Sequence, residues 1–243
     1  MRDAPGVRSI FLLMVVCMAG CVSRPPTIAH VHIGHALTGV HVTPNHEGYF
    51  VQAEKRAQEA IAAAQKAAAS NDLAEIRKDA AAVVKATDSE EDFGVKQALE
   101  MAANHITFAA TSDDASINVQ KSAPVFAGNV GRVLERCALI DLLGRDVQDS
   151  RTLAEAQVSV QEMSKLAQAN LAGEDKDGNG TVGSVPAEFG LVQLRKEVEA
   201  MVGRENPKYE TVDQWFLFNL VKLPNGKWVF DKLGRGGNIE GYK

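Results

Sequence analysis

Apolar positions recur at helical spacing through most of the chain. Leu73, Ile76, Ala80, Val83 and Val84 fall at i, i+3 and i+4 steps, and Val125, Phe126, Val130, Val133, Leu134, Cys137, Ile140 and Leu143 form one broad stripe. Such patterns mark amphipathic helices docked on a core. The spacing predicts helices over about Tyr49–Ala69, Asp72–Thr87, Gly94–Ala110, Ala123–Gly144, Thr152–Leu171 and Ala187–Val202. Thr152-Leu153-Ala154-Glu155 is a capping box that opens the fifth of these, and Asn206-Pro207 stops the last. The acidic run Asp88 to Asp92 reads as a solvated turn with N-cap residues. Short connections between such helices favour antiparallel neighbours, so the expected fold is an all-α, up-and-down helical bundle. The pattern changes near the C-terminus, where Trp215–Leu223 and Lys227–Phe230 flank Asn225-Gly226. That dipeptide is the usual type I′ turn of a β-hairpin, and the first strand is apolar on both faces, so the small hairpin should pack on the bundle.

Composition sharpens this picture in one respect. Hydrophobic residues make up 45% of the 243, enough for a core, while aromatics are scarce at 6%. Alanine crowds residues 53 to 110 and strand formers are thin until the last thirty residues, which favours a helical body.

The most informative short stretch is HVHIGHALTGVHVTPNH, from His30 to His46. It holds five of the six histidines, His30, His32, His35, His41 and His46, with Glu47 beside the last and His105 as the remote sixth. Imidazole is the commonest protein metal ligand, and packing alone gives no reason to crowd it into one segment. His32-x-x-His35 can place two rings on one side of a helical turn. His41, His46, Glu47 or the remote His105 would add further ligands for zinc or a nitrogen-rich copper site. His105 falls on or beside the apolar face of its helix with Ala98, Ala102, Ile106 and Ala109, so it is either a core histidine or a fixed ligand onto which the segment folds back. With Gly34, Gly39 and Thr43-Pro44-Asn45 and no sustained 3.6 period, the segment itself reads as a partly irregular loop or a short turn of helix.

The first twenty residues read as a targeting signal, with Arg2 and Arg8 ahead of an apolar core from Ile10 to Met18 that is too short to span a bilayer. Met18-Ala19-Gly20-Cys21 resembles the lipobox of bacterial lipoproteins, although that family usually carries Leu where Met18 stands. The resemblance implies lipidation at Cys21, cleavage before it and a membrane held through the lipid anchor. With Val22 rather than Asp next, it also implies the periplasmic side of a Gram-negative outer membrane. Residues 1–20 are then signal, 21–29 a Pro-stiffened tether, 30–48 the His-rich segment, 49–206 the helical bundle and 207–243 the C-terminal hairpin and tail. Loss of residues 1–20 removes Arg2, Arg8 and Asp3 from 26 basic and 31 acidic side chains, leaving a formal charge of −6. That balance, with no basic cluster carrying interleaved aromatics, excludes nucleic acid as an expected partner. Cys137 would be the only remaining thiol, on an apolar helix face, so neither a disulfide nor covalent haem is expected.

The stretch Gly173-Glu174-Asp175-Lys176-Asp177-Gly178-Asn179-Gly180-Thr181-Val182 resembles the calcium loop of the EF-hand superfamily. By that resemblance Asp175, Asp177 and Asn179 supply side-chain oxygens, Gly180 the sharp turn, Thr181 a backbone carbonyl and Val182 the apolar anchor. Within the stretch 173–186 the loop's first position is Asp175, and its twelfth, where the family has a bidentate Glu, is Pro186. Glu188 would have to reach the ion through altered geometry; otherwise the stretch is an Asx-rich turn. The fragment HIGHALTGVH is also similar to the opening of an uncharacterised family of bacterial exported proteins, which implies no chemistry.

No nucleophile elbow, Walker A, H-E-x-x-H or dinucleotide fingerprint is present. Three readings follow. The chain is an envelope lipoprotein that binds zinc or copper through the His cluster with a weak calcium site, a structural lipoprotein that contacts an envelope protein partner, or a metal-dependent enzyme. The first is the leading expectation.

Overall fold

The computed structural model describes residues 28–205, 220–222 and 228–230. The signal, Cys21 and most of the tether lie outside the described residues. The protein is an all-α bundle made of α1 (Ile28–Leu37), α2 (Tyr49–Ala69), α3 (Leu73–Asp88), α4 (Val95–Thr111), α5 (Ile117–Asn129), α6 (Gly131–Asp149), α7 (Leu153–Ala172) and α8 (Leu191–Gly203). The Thr152–Glu155 capping box forms as the sequence predicts, and Asp72 caps α3 by accepting the Ala74 and Glu75 amides. None of the helices among the described residues is long and apolar enough to cross a membrane.

The alanine bias has a packing cause. Ala53, Ala57, Ala60, Ala64 and Ala67 step along one face of α2, each at most 1% exposed, and side chains this small let α3, α4 and α7 approach the long helix closely. The stripe spans two core clusters. Its N-terminal part joins residues of α1, α4, α5, α8 and the start of α6, among them Ile33, Leu99, Phe126 and Leu194. Its C-terminal part joins α3, α7 and the rest of α6, among them Ile76, Ile140 and Met163.

Two elements differ from the sequence expectation. The His-rich segment is not mainly irregular: α1 is a regular helix of ten residues followed by a 3-10 turn at Pro44–His46. Its 3.6 period is invisible because Ala29, His30, Val31, Ile33, His35, Ala36 and Leu37 are all buried. A helix enclosed on most sides has no polar face to alternate with. The single stripe expected over Ala123–Gly144 is two helices. Val130, in helical conformation (φ −68°, ψ −22°), ends α5 and begins α6, and α5 itself starts at Ile117, ahead of the expected Ala123, where the Ser116 side chain caps it by accepting the Val119 amide. Because the chain stays near-helical through the junction, the apolar stripe runs on across it.

Gly48 fixes how α1 meets α2. A Cβ there would lie 2.5 Å from both Leu37 C and Thr38 N, which are backbone atoms with little freedom to move. Gly48→Ala is therefore expected to destabilise the protein by about 1–3 kcal/mol, as overpacking does elsewhere. Thermal melts check this, and an unchanged midpoint would show that the two helices separate freely.

Beyond Glu205 the described residues form two short strands, β1 (Leu220–Lys222) and β2 (Trp228–Phe230). They pair antiparallel with Leu220 opposite Phe230 and Lys222 opposite Trp228. The Asn225-Gly226 turn lies outside the described residues.

Candidate metal centre

Helices α1 and α4 pack side by side, and their contact brings three histidines together. His32 and His35, one turn apart on α1, face His105 on α4. His32 Nδ1 lies 3.1 Å and His35 Nδ1 3.3 Å from His105 Nδ1. One ligand nitrogen from each of the three comes within 4.8 Å of the others. A tetrahedral zinc with Zn–N of about 2.05 Å holds its ligand nitrogens about 3.3 Å apart, so the two separations to His105 match edges of such a coordination shell.

The charge state suits a metal as well. Burial, and then His105 and His32, hold His35 down at about 3. Burial and then His32 hold His105 at about 4. His32 is also lowered by burial, opposed by the carboxylate of Asp114. All three rings are thus neutral at pH 7, with lone pairs free for coordination. Without a cation the arrangement is awkward. Each neutral imidazole carries a single mobile proton, whereas the His105 Nδ1 faces two other ring nitrogens. His35 Nε2 is buried with no hydrogen-bond partner, so no tautomer satisfies the whole group.

The walls of the site come from residues that the sequence did not single out. Tyr49, 1% exposed, sets its ring 5.1 Å from that of His105. Phe108, 50% exposed, lies 5.8 Å from His105 and 5.6 Å from His32. Asp114, in the connection between α4 and α5, accepts the Ile28 amide at 2.7 Å and the Ala29 amide at 3.2 Å with its two carboxylate oxygens. It thereby holds the start of α1 against the end of α4, and its negative charge sits favourably at helical N–H groups. No local signal marks this role, since the partners lie 86 and 85 residues apart. Asp114→Ala should cost about 1 kcal/mol of stability, as loss of a capping acceptor does, and should weaken metal binding by loosening α1 against α4. Unchanged metal affinity in a calorimetric titration would show that the anchor does not position the ligands.

The other sequence candidates lie elsewhere. His30 is buried on α1, two residues from His32 and so on a different side of the helix. His41 and His46 stack on each other, ring centroids 5.1 Å apart with 17° between planes, around a turn in which Asn45 and His46 adopt φ of 58° and 57°. Glu47 pairs with Lys55 at 2.5 Å. None of these four joins the group formed by His32, His35 and His105. Cys137 is buried, and burial pushes its thiol up to about 12.

A second group forms in the loop between α7 and α8. Asp175 accepts the Gly178 and Gly180 amides, Asp177 the Asn179 amide, and Asn179 Oδ1 the Thr181 amide. Gly178 and Gly180 take φ of 72° and 81°, values open to glycine. Pro186 supplies no ligand. It opens a 3-10 turn, Pro186–Glu188, which swings Glu188 inward until its carboxylate comes within 4.8 Å of those of Asp175 and Asp177. Glu188 Oε2 accepts the Gly183 and Ser184 amides and the Ser184 hydroxyl, each at 2.9 Å, and Oε1 the Lys176 amide at 3.2 Å. Burial raises the Glu188 carboxyl, but these donors outweigh it and leave the group at about 2. The carboxylate thus already organises the loop as an internal anion.

Comparison of the chain with protein-family models, curated proteins and solved structures finds no match.

Proposed function

We propose that the protein is an envelope lipoprotein that binds a transition metal, zinc or copper, at His32, His35 and His105. The observation that carries this reading is the convergence of three neutral imidazoles from two separate helices, with ring nitrogens 3.1 and 3.3 Å apart. These spacings suit one ion and leave a poor fit for the rings alone. Two ligands come from α1 and one from α4, so binding would clamp α1 to the bundle. The lipid at Cys21 would place this centre at the periplasmic face of the outer membrane, where the lipobox and the short signal point.

The loop at 173–186 would act as a weak calcium brace, with Asp175, Asp177, Asn179, Thr181 and Glu188 in the roles that the EF-hand resemblance implies. Its affinity would be low, because Glu188 must share oxygens already engaged by backbone amides. We read the bundle as up-and-down, with α7 and α8 as the EF-hand-like pair and the C-terminal hairpin docked on it.

The experiment that tests the metal reading is elemental analysis of protein purified without a histidine tag, followed by zinc and copper titration of the metal-free form. One transition-metal ion per chain is expected. Protein that neither retains nor takes up such an ion is a structural lipoprotein contacting an envelope partner. Melts with calcium and with chelator, and palmitate labelling of Cys21→Ser, test the brace and the anchor.

A further inference from the structure

We infer that the centre formed by His32, His35 and His105 leaves one coordination position open beside Phe108, and that this position takes a small exogenous anion. The inference rests on the metal reading above and adds to it what the metal does not get from the protein.

A zinc-type ion in a nitrogen-rich site completes four positions. Three come from the imidazoles. All six histidines are among the described residues, and His30, His41 and His46 stand apart from the group. No carboxylate or thiol among the described residues joins it either. The carboxylate whose charge acts on His32, that of Asp114, spends both oxygens on the Ile28 and Ala29 amides. A structural zinc site closes itself with four protein ligands, whereas three protein ligands and a solvent-derived fourth mark a site that exchanges its last ligand.

The opening has a direction. His35 is buried on the inner side, and Tyr49, 1% exposed, closes the approach along His105 from the core. His32 and His105 retain partial exposure, and the aromatic ring that touches both of them is Phe108, itself 50% exposed. Solvent therefore reaches the group along the Phe108 side. Charge decides the class of ligand. Three neutral imidazoles leave a divalent ion with its full double charge in partly desolvated surroundings, where an anion is favoured over a neutral ligand. In water the occupant is a metal-bound water or hydroxide, the species that a catalytic zinc presents.

The test uses the full chain loaded with cobalt(II), which takes zinc's geometry and reports its coordination by visible absorption, and azide as the anion. The expected result is one cobalt per chain and a saturable change in the visible bands with one azide per cobalt. Phe108→Ala, which removes no ligand, should keep the cobalt stoichiometry and alter the azide dissociation constant several-fold. Cobalt bound at one per chain with bands that azide leaves unmoved overturns the open position while the metal reading stands. An azide constant unchanged in Phe108→Ala overturns the placement of the opening. Protein that binds no cobalt fails the metal reading, and the open position with it.

Discussion

His105→Ala protein is expected to bind zinc or copper more than about 100-fold more weakly than the wild type, since even changes to the groups behind a ligand cost 10- to 100-fold. His105 is the member of the group that α4 contributes, and its Nδ1 is the point to which both His32 and His35 approach. Without it, α1 keeps two imidazoles one turn apart, enough for weak chelation but with nothing to tie the helix to the bundle. The consequence extends to stability. Metal at a hundred times its dissociation constant adds about 2.7 kcal/mol to a protein that binds only when folded. In a domain of this size that corresponds to about 5–10 °C in Tm. Wild type should show this gain and His105→Ala should lose nearly all of it. The His41→Ala/His46→Ala double variant should keep it, because the stacked pair is separate from the group. A His105→Ala protein with wild-type affinity and stoichiometry would remove α4 from the site.

The parts of this arrangement that local chemistry dictates were legible in the sequence. The i, i+3 spacing of His32 and His35 is readable from two letters, and the Asp175 to Gly180 turn is built from Asx and glycine conformations that act within a few residues. The long helices were legible because each has one wet face. His105 was readable only as an ambiguity between core and ligand, since a histidine on an apolar face looks the same in both roles until α1 is seen against it. What was not legible depends on partners far along the chain. α1 hides its period by being buried on most sides. Asp114 gives no hint that its acceptors serve amides more than eighty residues away. The path by which Glu188 enters the loop exists because Pro186 starts a 3-10 turn where the EF-hand pattern would place a ligand. His41, His46 and Glu47 lie beside the ligands in sequence, but His41 and His46 stack on each other across the 3-10 turn and Glu47 pairs with Lys55.

The metal-free protein should lose stability as pH falls from about 7 to about 5, by roughly 2–4 kcal/mol. The unfolded chain presents His35 and His105 with the ordinary imidazole pKa of 6.5, whereas the fold holds them at about 3 and about 4. Below 6.5 the unfolded state therefore binds protons that the folded state refuses, and stability falls with pH. The contribution is complete above 6.5 and is lost progressively as pH drops toward the folded values. His35, the more buried of the two, accounts for about 2 kcal/mol of the fall between pH 7 and pH 5. Half-buried His105 accounts for less than its shift would suggest, because solvent screens it. The carboxylates that the fold holds low, Glu188 at about 2 among them, begin to titrate only below their ordinary value of 4.5, so they leave this window to the imidazoles. Urea melts across it provide the measurement, with His35→Leu as the discriminating variant: the leucine removes the titrating group while keeping an apolar side chain at the buried position, and it should flatten the dependence by about 1 kcal/mol per pH unit on average between pH 7 and pH 5. Bound metal should steepen the same dependence, since its ligands must stay deprotonated. If wild type and His35→Leu share one slope between pH 7 and pH 5, burial does not hold the triad neutral, and the lone pairs that the metal centre requires at acid pH are not protected by the fold.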